Sequence, residues 1–439
     1  MKTTKMIIIF IIFLFVNSTI AIAINIQNEE IRPQNTGGYI QSLINAASPG
    51  DTINIPSGTY NEDITINKQI NLIGENKEDT IIVGTGKSNT VTITADNVKI
   101  SGFTIKNSWD TEWHGGIGIY SNFNVIEDNI LTENENGIMI GSTGEVYEGT
   151  TIEKNIFTEN DRYGIRMVYY NGCTIYDNYI SLNVKGGIDA TLSININIIE
   201  NIITNNGDDG IDLFDSHIML VENNEVLHND GTGLFSWGGS SRGTFRNNDL
   251  AFNNVDGIFI DQPYRKGMFI VEKNTINSNG RNGVHIQFSR ENIVNNNEII
   301  NNKNGVHLLG ASNNIIMQNN LTSNEYGVLI ESDYECSSLN DFYYNNFRGN
   351  TVNARDECLN FWQNLVSYAG NYWDDYKGSD SNNDGIGDTP YEIDGGSGKD
   401  NFPLMKPWNE NSRSRTVYSF KILQKILGFF LNFNKLIRR

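Results

Sequence analysis

The feature that most constrains this chain is a repeat of about 23 residues. A turn residue followed by an aliphatic recurs at Ile117, Ile138, Ile165, Ile188, Ile211, Leu234, Ile258, Val284, Val306 and Val328, in steps of 21 to 27 residues. A second mark, at Asn129, Asn155, Asn178, Asn201, Asn224, Asn248, Asn274, Asn297 and Asn320, keeps the same period. The units carry β-branched residues in short alternating runs, such as GIDLF (210–214) and GVHI (283–286), which excludes helical repeats. Coiling two or three short strands per unit in parallel sets each strand about 4.8 Å above its counterpart. Inward aliphatics then stack. The Asn, placed at a turn where left-handed backbone is tolerated, bonds the Asn above and below in a ladder.

The expected fold is therefore all-β. It is a single-stranded right-handed parallel β-helix of about 11 to 12 coils, with a short N-terminal capping helix and a C-terminal amphipathic helix. Stacking lets the core grow beyond the size of ordinary domains. The reading divides the chain into a signal peptide (1–23), an N-terminal cap with first coils (37–105), regular coils (106–350), a C-terminal cap with an acidic loop (351–408), and a linker with cationic tail (409–439). Three insertions, 107–116, 142–150 and 262–267, are expected as loops, usual places for binding residues.

A formal charge of −20 argues against nucleic acid, which needs clustered Lys and Arg. Lys2 and Lys5, the apolar run 6–16 and Ala21-Ile22-Ala23 read as an export signal, with an uncleaved anchor as the alternative. The chain is thus expected outside the cytoplasm: extracellular, on the cell surface or periplasmic. Cys336 and Cys358 stand 22 residues apart, about one coil, and can pair in an oxidising compartment; Cys173 reads as core. Residues 416–439 form an amphipathic cationic segment, suited to an anionic membrane surface, to the acidic body or to capping the last coil.

Alternation along the strands assigns faces. The outward neighbours of the aliphatic column are Met139, Arg166, Asp189, Asp212, Phe235, Phe259, His285, His307 and Leu329. Two residues further on lie Gly141, Val168, Thr191, Phe214, Trp237, Asp261, Gln287, Leu309 and Glu331. Arg166, Asp189, Asp212, Phe214, Phe235, Trp237, Asp261, His285 and His307 are the candidate ligand-binding residues. Aromatic rings there offer apolar faces to sugar rings, and the carboxylates suit hydroxyls. Were the chain an enzyme, Asp189, Asp212 and Asp261 would be its candidate acids, since Asp189 and Asp212 fall roughly 5 Å apart, near the spacing of a retaining glycosidase. The alternative is an ordinary surface ladder in which Arg166 neutralises the Asp pair. GDDGIDLFDSH (207–217) is similar to the paired Asp of pectin-cleaving β-helix hydrolases, but their Gly-His-Gly and Arg-x-Lys elements are missing.

In DSNNDGIGD (380–388), Asp380, Asn382, Asp384 and Asp388 supply oxygens and Gly385 a sharp turn, as calcium requires. The spacing fits an EF-hand only in part, with Tyr391 at the twelfth position, so a turn without metal stays open. Copper is not expected, since no Cys/His or Met-rich cluster accompanies the His285–His307 pair.

The Asn-ladder coils, GDTINIPSGTY (50–60) and NYWDDYKGSDSNNDGIGDTPYEIDGGSGKDNFPLMKPW (371–408) resemble the NosD-like proteins, whose β-helix is also called the carbohydrate-binding and sugar-hydrolase (CASH) domain. The closing segment is similar to versions on archaeal cell surfaces. The likeness covers roughly 37–408 and implies an exported right-handed β-helix. The expected function is non-catalytic binding of polysaccharide or cell-surface glycan. The alternatives are a polysaccharide lyase, epimerase or hydrolase, and a NosD-type factor in copper-enzyme maturation.

Overall fold

The computed structural model describes residues 38–409, apart from 109, 110, 142, 143, 333 and 334. The expected export signal and cationic tail lie outside the described residues. Within them, the chain winds as an all-β parallel solenoid of about 14 turns with one short helix, Tyr39–Ala46. Each turn contributes in order to a first, a second and a third sheet, as in Ile194–Ile199, Ile202–Thr204 and Ile211–Phe214. The sheets hold 15, 14 and 13 strands, and every pairing in them is with the coil above or below.

The number of coils exceeds the expected 11 to 12 because the first turns, built from residues 52–106, lack both sequence marks. Their strands (Thr52–Ile55, Asn71–Gly74 and Lys99–Ser101) nevertheless stack in the first sheet. The core is the predicted one. Ile117, Ile138, Ile165, Ile188, Ile211, Leu234, Ile258, Val284, Val306 and Val328 are consecutive partners in the third sheet, and all are fully buried.

The Asn ladder forms with two corrections. Its member on the last regular coils is Asn319, not Asn320: the N–H and Nδ2 of Asn297 both donate to Asn319 Oδ1 at 2.9 Å. Asn320 is the first residue of a second-sheet strand, where its Nδ2 donates to Glu298 and its Oδ1 accepts from Asn346. The left-handed backbone also falls on the residue before each rung (Asp128, Lys154, Asp177 and Glu200, φ 52° to 57°) rather than on the Asn. These non-glycine residues hold a costly conformation because the Asn that follows is fully bonded. A second ladder, Asn134, Asn160, Asn183, Asn206 and onward, runs up the turn between the second and third sheets.

Both ends are covered, as exposed strand edges require. Ile40 and Ile44 of the helix sit fully buried on the first coil. Glu62 accepts the N–H groups of Ile40 and Gln41 at the helix start, and Lys68 Nζ donates to the carbonyls of Ile44, Asn45 and Ala47 at its end. These charges complement the helix dipole. At the far end the first ladder closes on a buried carboxylate, Asp400 Oδ2 accepting the N–H of Asn371 at 2.7 Å, beneath a stack of Phe347, Trp373 and Tyr391. Cys336 and Cys358 form the expected disulfide, and Cys173 is a buried core residue whose thiol burial pushes up to about 12.

Insertion 262–267 is not a separate loop. All of it but Gly267 lies within one strand, Ile258–Lys266, whose register shifts between 261 and 265. Part of 142–150 adds Tyr147–Glu148 to the first sheet.

Candidate functional site

The third sheet brings the predicted columns together. Met139, Arg166, Asp189, Asp212, Phe235, Phe259, His285, His307 and Leu329 are partners strand to strand, and so are Val168, Thr191, Phe214, Trp237, Asp261, Gln287, Leu309 and Glu331. The strip divides into three parts.

The first part is acidic and roofed. Glu112 and Trp113 of the insertion lie over it: Arg166 Nη1 donates to the Glu112 carbonyl at 3.1 Å, and its guanidinium lies 5.2 Å from the Trp113 ring centroid. Asp189 is buried, accepts from Thr191 Oγ1 at 3.0 Å and faces Arg166 Nε at 3.9 Å. Burial raises its carboxyl, against the pull of Arg166, Thr191, Arg162 and Tyr163. Asp212, one coil on, has no such cation. Burial and then the charge of Asp189 push it up to about 7, although Trp237 Nε1 donates to its Oδ1 at 2.7 Å. Burial likewise lifts Asp209 to about 6 and, with Asp189 and Asp212, the Tyr163 phenol to about 12. Two aligned carboxyls in unequal environments are the raw material of acid–base chemistry. Tyr163, Glu112 and Trp113 escaped the column reading because they come from turns and the insertion rather than from strands.

This arrangement has a consequence for stability. The folded-state pKa of Asp212 lies above the unfolded carboxylate's value of about 3.9, so its contribution is full below that value and is lost as pH rises through about 7. In thermal melts Asp212→Asn is therefore expected to be more stable than wild type near pH 8, with the advantage disappearing near pH 4.

The second part is a column of stacked rings. Phe235 and Phe259 lie 4.8 Å apart, Phe259 and His285 4.2 Å, and His285 and His307 4.6 Å, all within 16° of parallel. Their faces are turned to one another and their edges outward, so they do not present the expected open faces for sugar rings. Trp237 heads the column, stacked on Phe235 at 5.6 Å and tilted against Phe214 at 4.3 Å, and is 36% exposed.

The third part is a cavity of about 760 Å³. It takes in Phe259, Asp261, His285 and His307 but neither Asp189 nor Asp212. His285 Nδ1 lies 3.2 Å from Asp256 Oδ2, and His307 Nε2 lies 3.0 Å from Glu331 Oε2. Burial and then His285 lower His307 to about 4, so it is neutral at pH 7 and donates from Nε2 to the Glu331 carboxylate. Asp256, buried at the turn before Gly257, gave no sign of this role in the sequence. Burial also raises Asp261.

Asp380, Asn382, Asp384 and Asp388 share a loop of the C-terminal cap, apart from this strip. Their oxygens accept from local donors: Asp384 N and Gly385 N to Asp380, Ile386 N to Asp384, and Ser381 N to Asp388.

The fold is a right-handed parallel β-helix, and residues 81–250 are similar to the family described as right handed beta helix region. Residues 250–378 are similar to the family described as periplasmic copper-binding protein (NosD). Comparison with curated proteins finds no match. Among solved structures, the A-module of the mannuronan C-5 epimerase AlgE6 of Azotobacter vinelandii is similar with TM-score 0.53 and 16% identity, over 73% of this chain and 91% of that one. The catalytic unit of a thermostable GH87 alpha-1,3-glucanase of Streptomyces thermodiastaticus gives TM-score 0.50 and 14% identity, over 87% and 69%. At these identities the likeness is one of fold.

Copper, which the NosD description implies, does not fit the residues present. Cys336 and Cys358 are consumed in the disulfide, Cys173 is buried in the core, and the stacked pair His285 and His307 has no third ligand beside it among the described residues. Among the described residues no three of His, Cys, Asp or Glu converge to hold a metal ion.

Proposed function

We propose that the outward face of the third sheet binds an extended polysaccharide without turning it over, and that the protein works outside the cytoplasm. The observation that carries this is the continuous strip from Arg166 to His307, which runs from a roofed acidic cluster past an exposed Trp237 into a cavity of about 760 Å³. A repeat places polar residues in rows without any ligand, but it does not require a cavity or a roof. The neighbours named as a mannuronan epimerase and a glucanase agree with a polysaccharide as partner, while the reading itself rests on the strip. Export is supported by the Cys336–Cys358 disulfide, which suits an oxidising compartment, and by the periplasmic description of the NosD family.

A glycan array tests the reading with wild type, Trp237→Ala and Asp212→Asn. Binding by wild type to at least one polysaccharide, weakened by Trp237→Ala, is expected; no binding to any would sink the proposal. A second reading, catalysis, is favoured by the unequal Asp189 and Asp212 environments. It predicts release of new chain ends from the bound polymer, lost in Asp212→Asn.

For the loop 380–388, whose carboxylates do not converge as they stand, we propose that calcium gathers them, with Asp380, Asn382, Asp384 and Asp388 turning their oxygens from local N–H groups to the ion. Calorimetry is expected to show saturable heat with calcium; none at millimolar ion removes the proposal.

A further inference from the structure

We propose that the cavity at the C-terminal end of the third sheet selects acidic polysaccharide, with Arg281 and Lys303 holding its carboxylate or sulfate groups. This rests on the reading of the third sheet as a glycan-binding face and adds the class of glycan. The chain carries 52 Asp and Glu against 32 Lys and Arg, so its cations have abundant partners. Arg162, Arg166, Arg246 and Lys266 each meet a carboxylate. Arg281 and Lys303 do not: among the described residues neither forms an ion pair, although both are exposed and both line the cavity.

Their placement is fixed by the solenoid. The N–H of Arg281 donates to the Val255 carbonyl at 2.7 Å, that of Asn304 to the Arg281 carbonyl at 3.0 Å, and that of Tyr326 to the Lys303 carbonyl at 3.0 Å. The two cations thus occupy equivalent turn positions on neighbouring coils, about 4.8 Å apart along the axis. Like charges so placed repel each other, a cost that an anion bridging them relieves. A guanidinium beside an ammonium also suits carboxylate and sulfate oxygens, the first by its fork of donors and the second as a point charge.

Of the cavity's carboxylates, Glu357 is paired with a cation, Arg355, while Asp256 and Glu331 are held by the neutral Asn282 and His307. Glu357 accepts from Arg355 at 2.7 Å, Glu331 accepts from His307, and Asp256 Oδ1 accepts both the N–H and the Nδ2 of Asn282. Glu325, on the coil after Lys303, pairs with neither cation and bounds the patch. Behind the cations, His285 Nε2 and Asp261 Oδ1 are enclosed and have no donor.

The test is calorimetry and affinity electrophoresis of the exported chain against polygalacturonate, chondroitin sulfate and a neutral glucan. Wild type, Arg281→Gln/Lys303→Gln and Trp237→Ala are compared. Wild type is expected to hold at least one acidic polymer about 10-fold tighter than the glucan, and the carboxylated and sulfated arms tell which group is taken. The double variant, changed at two exposed side chains and melting with wild type, is expected to lose at least about 10-fold on the acidic polymer and nothing on the glucan. Undiminished affinity of the double variant for acidic polymer, or a wild-type preference for the glucan, overturns the proposal while leaving the third sheet a glycan-binding face. Failure of wild type to hold any polymer overturns both.

Discussion

Asn201→Ala is expected to lower the stability of the folded chain by about 3 to 5 kcal/mol. The amide is wired on every side. Asn201 Oδ1 accepts the N–H of Asn178 at 3.0 Å and its Nδ2 at 2.9 Å. Asn201 Nδ2 donates to the Ile175 carbonyl at 2.9 Å, the Ile199 carbonyl at 3.0 Å and Asn224 Oδ1 at 3.0 Å. Truncation leaves the buried Asn178 N–H without its acceptor and removes a donor from the Ile175 and Ile199 carbonyls, the latter keeping the N–H of Asp177. It also leaves Glu200 in a left-handed conformation (φ 56°) with less to hold it there. Because each coil packs only on its neighbours, the damage is expected to divide unfolding at this level instead of lowering one cooperative transition. Asn320→Ala, outside the ladder, should cost under about 1.5 kcal/mol in the same denaturant titration. Equal losses at the two positions would refute the ladder assignment.

Trp237→Ala is expected to weaken polysaccharide binding about 30-fold, corresponding to about 2 kcal/mol. Trp237 is the exposed head of an otherwise closed ring column, so it is the aromatic that a sugar can reach without parting a stack. Its indole N–H also fixes Asp212 at 2.7 Å, so its removal frees that carboxyl. Asp212→Asn keeps an acceptor for the indole and should therefore cost less, about 3-fold to 10-fold. Larger loss from Asp212→Asn than from Trp237→Ala would shift the centre of recognition into the roofed acidic cluster.

Much of this was legible in the sequence, for a physical reason. A solenoid turns spacing directly into contact, so residues one period apart, such as Asp189 and Asp212 or His285 and His307, had to be strand partners once the period was known. What spacing could not reveal was orientation. Phe235 is expected from the sequence to offer its face to sugar rings, yet it and Phe259, rings in register at strand spacing, gain more by covering one another. Nor could it reveal parts that leave the period. Glu112 and Trp113 reach Arg166 from an insertion 54 and 53 residues earlier in the chain, and the first coils carry hydrophobic alternation without the Asn and Gly marks. The shift from Asn320 to Asn319 has the same origin: in a run of two Asn either fits the period, and only the turn geometry decides which points inward.

The claim that the third sheet is the working face is tested most directly by affinity electrophoresis in polysaccharide-laden gels. Wild type and Trp237→Ala are compared with Tyr179→Ala, a change at an exposed ring of the second sheet. The account predicts that wild type and Tyr179→Ala are retarded alike and that Trp237→Ala runs free. Equal loss of retardation in both variants, or no retardation of wild type by any polymer, would contradict it.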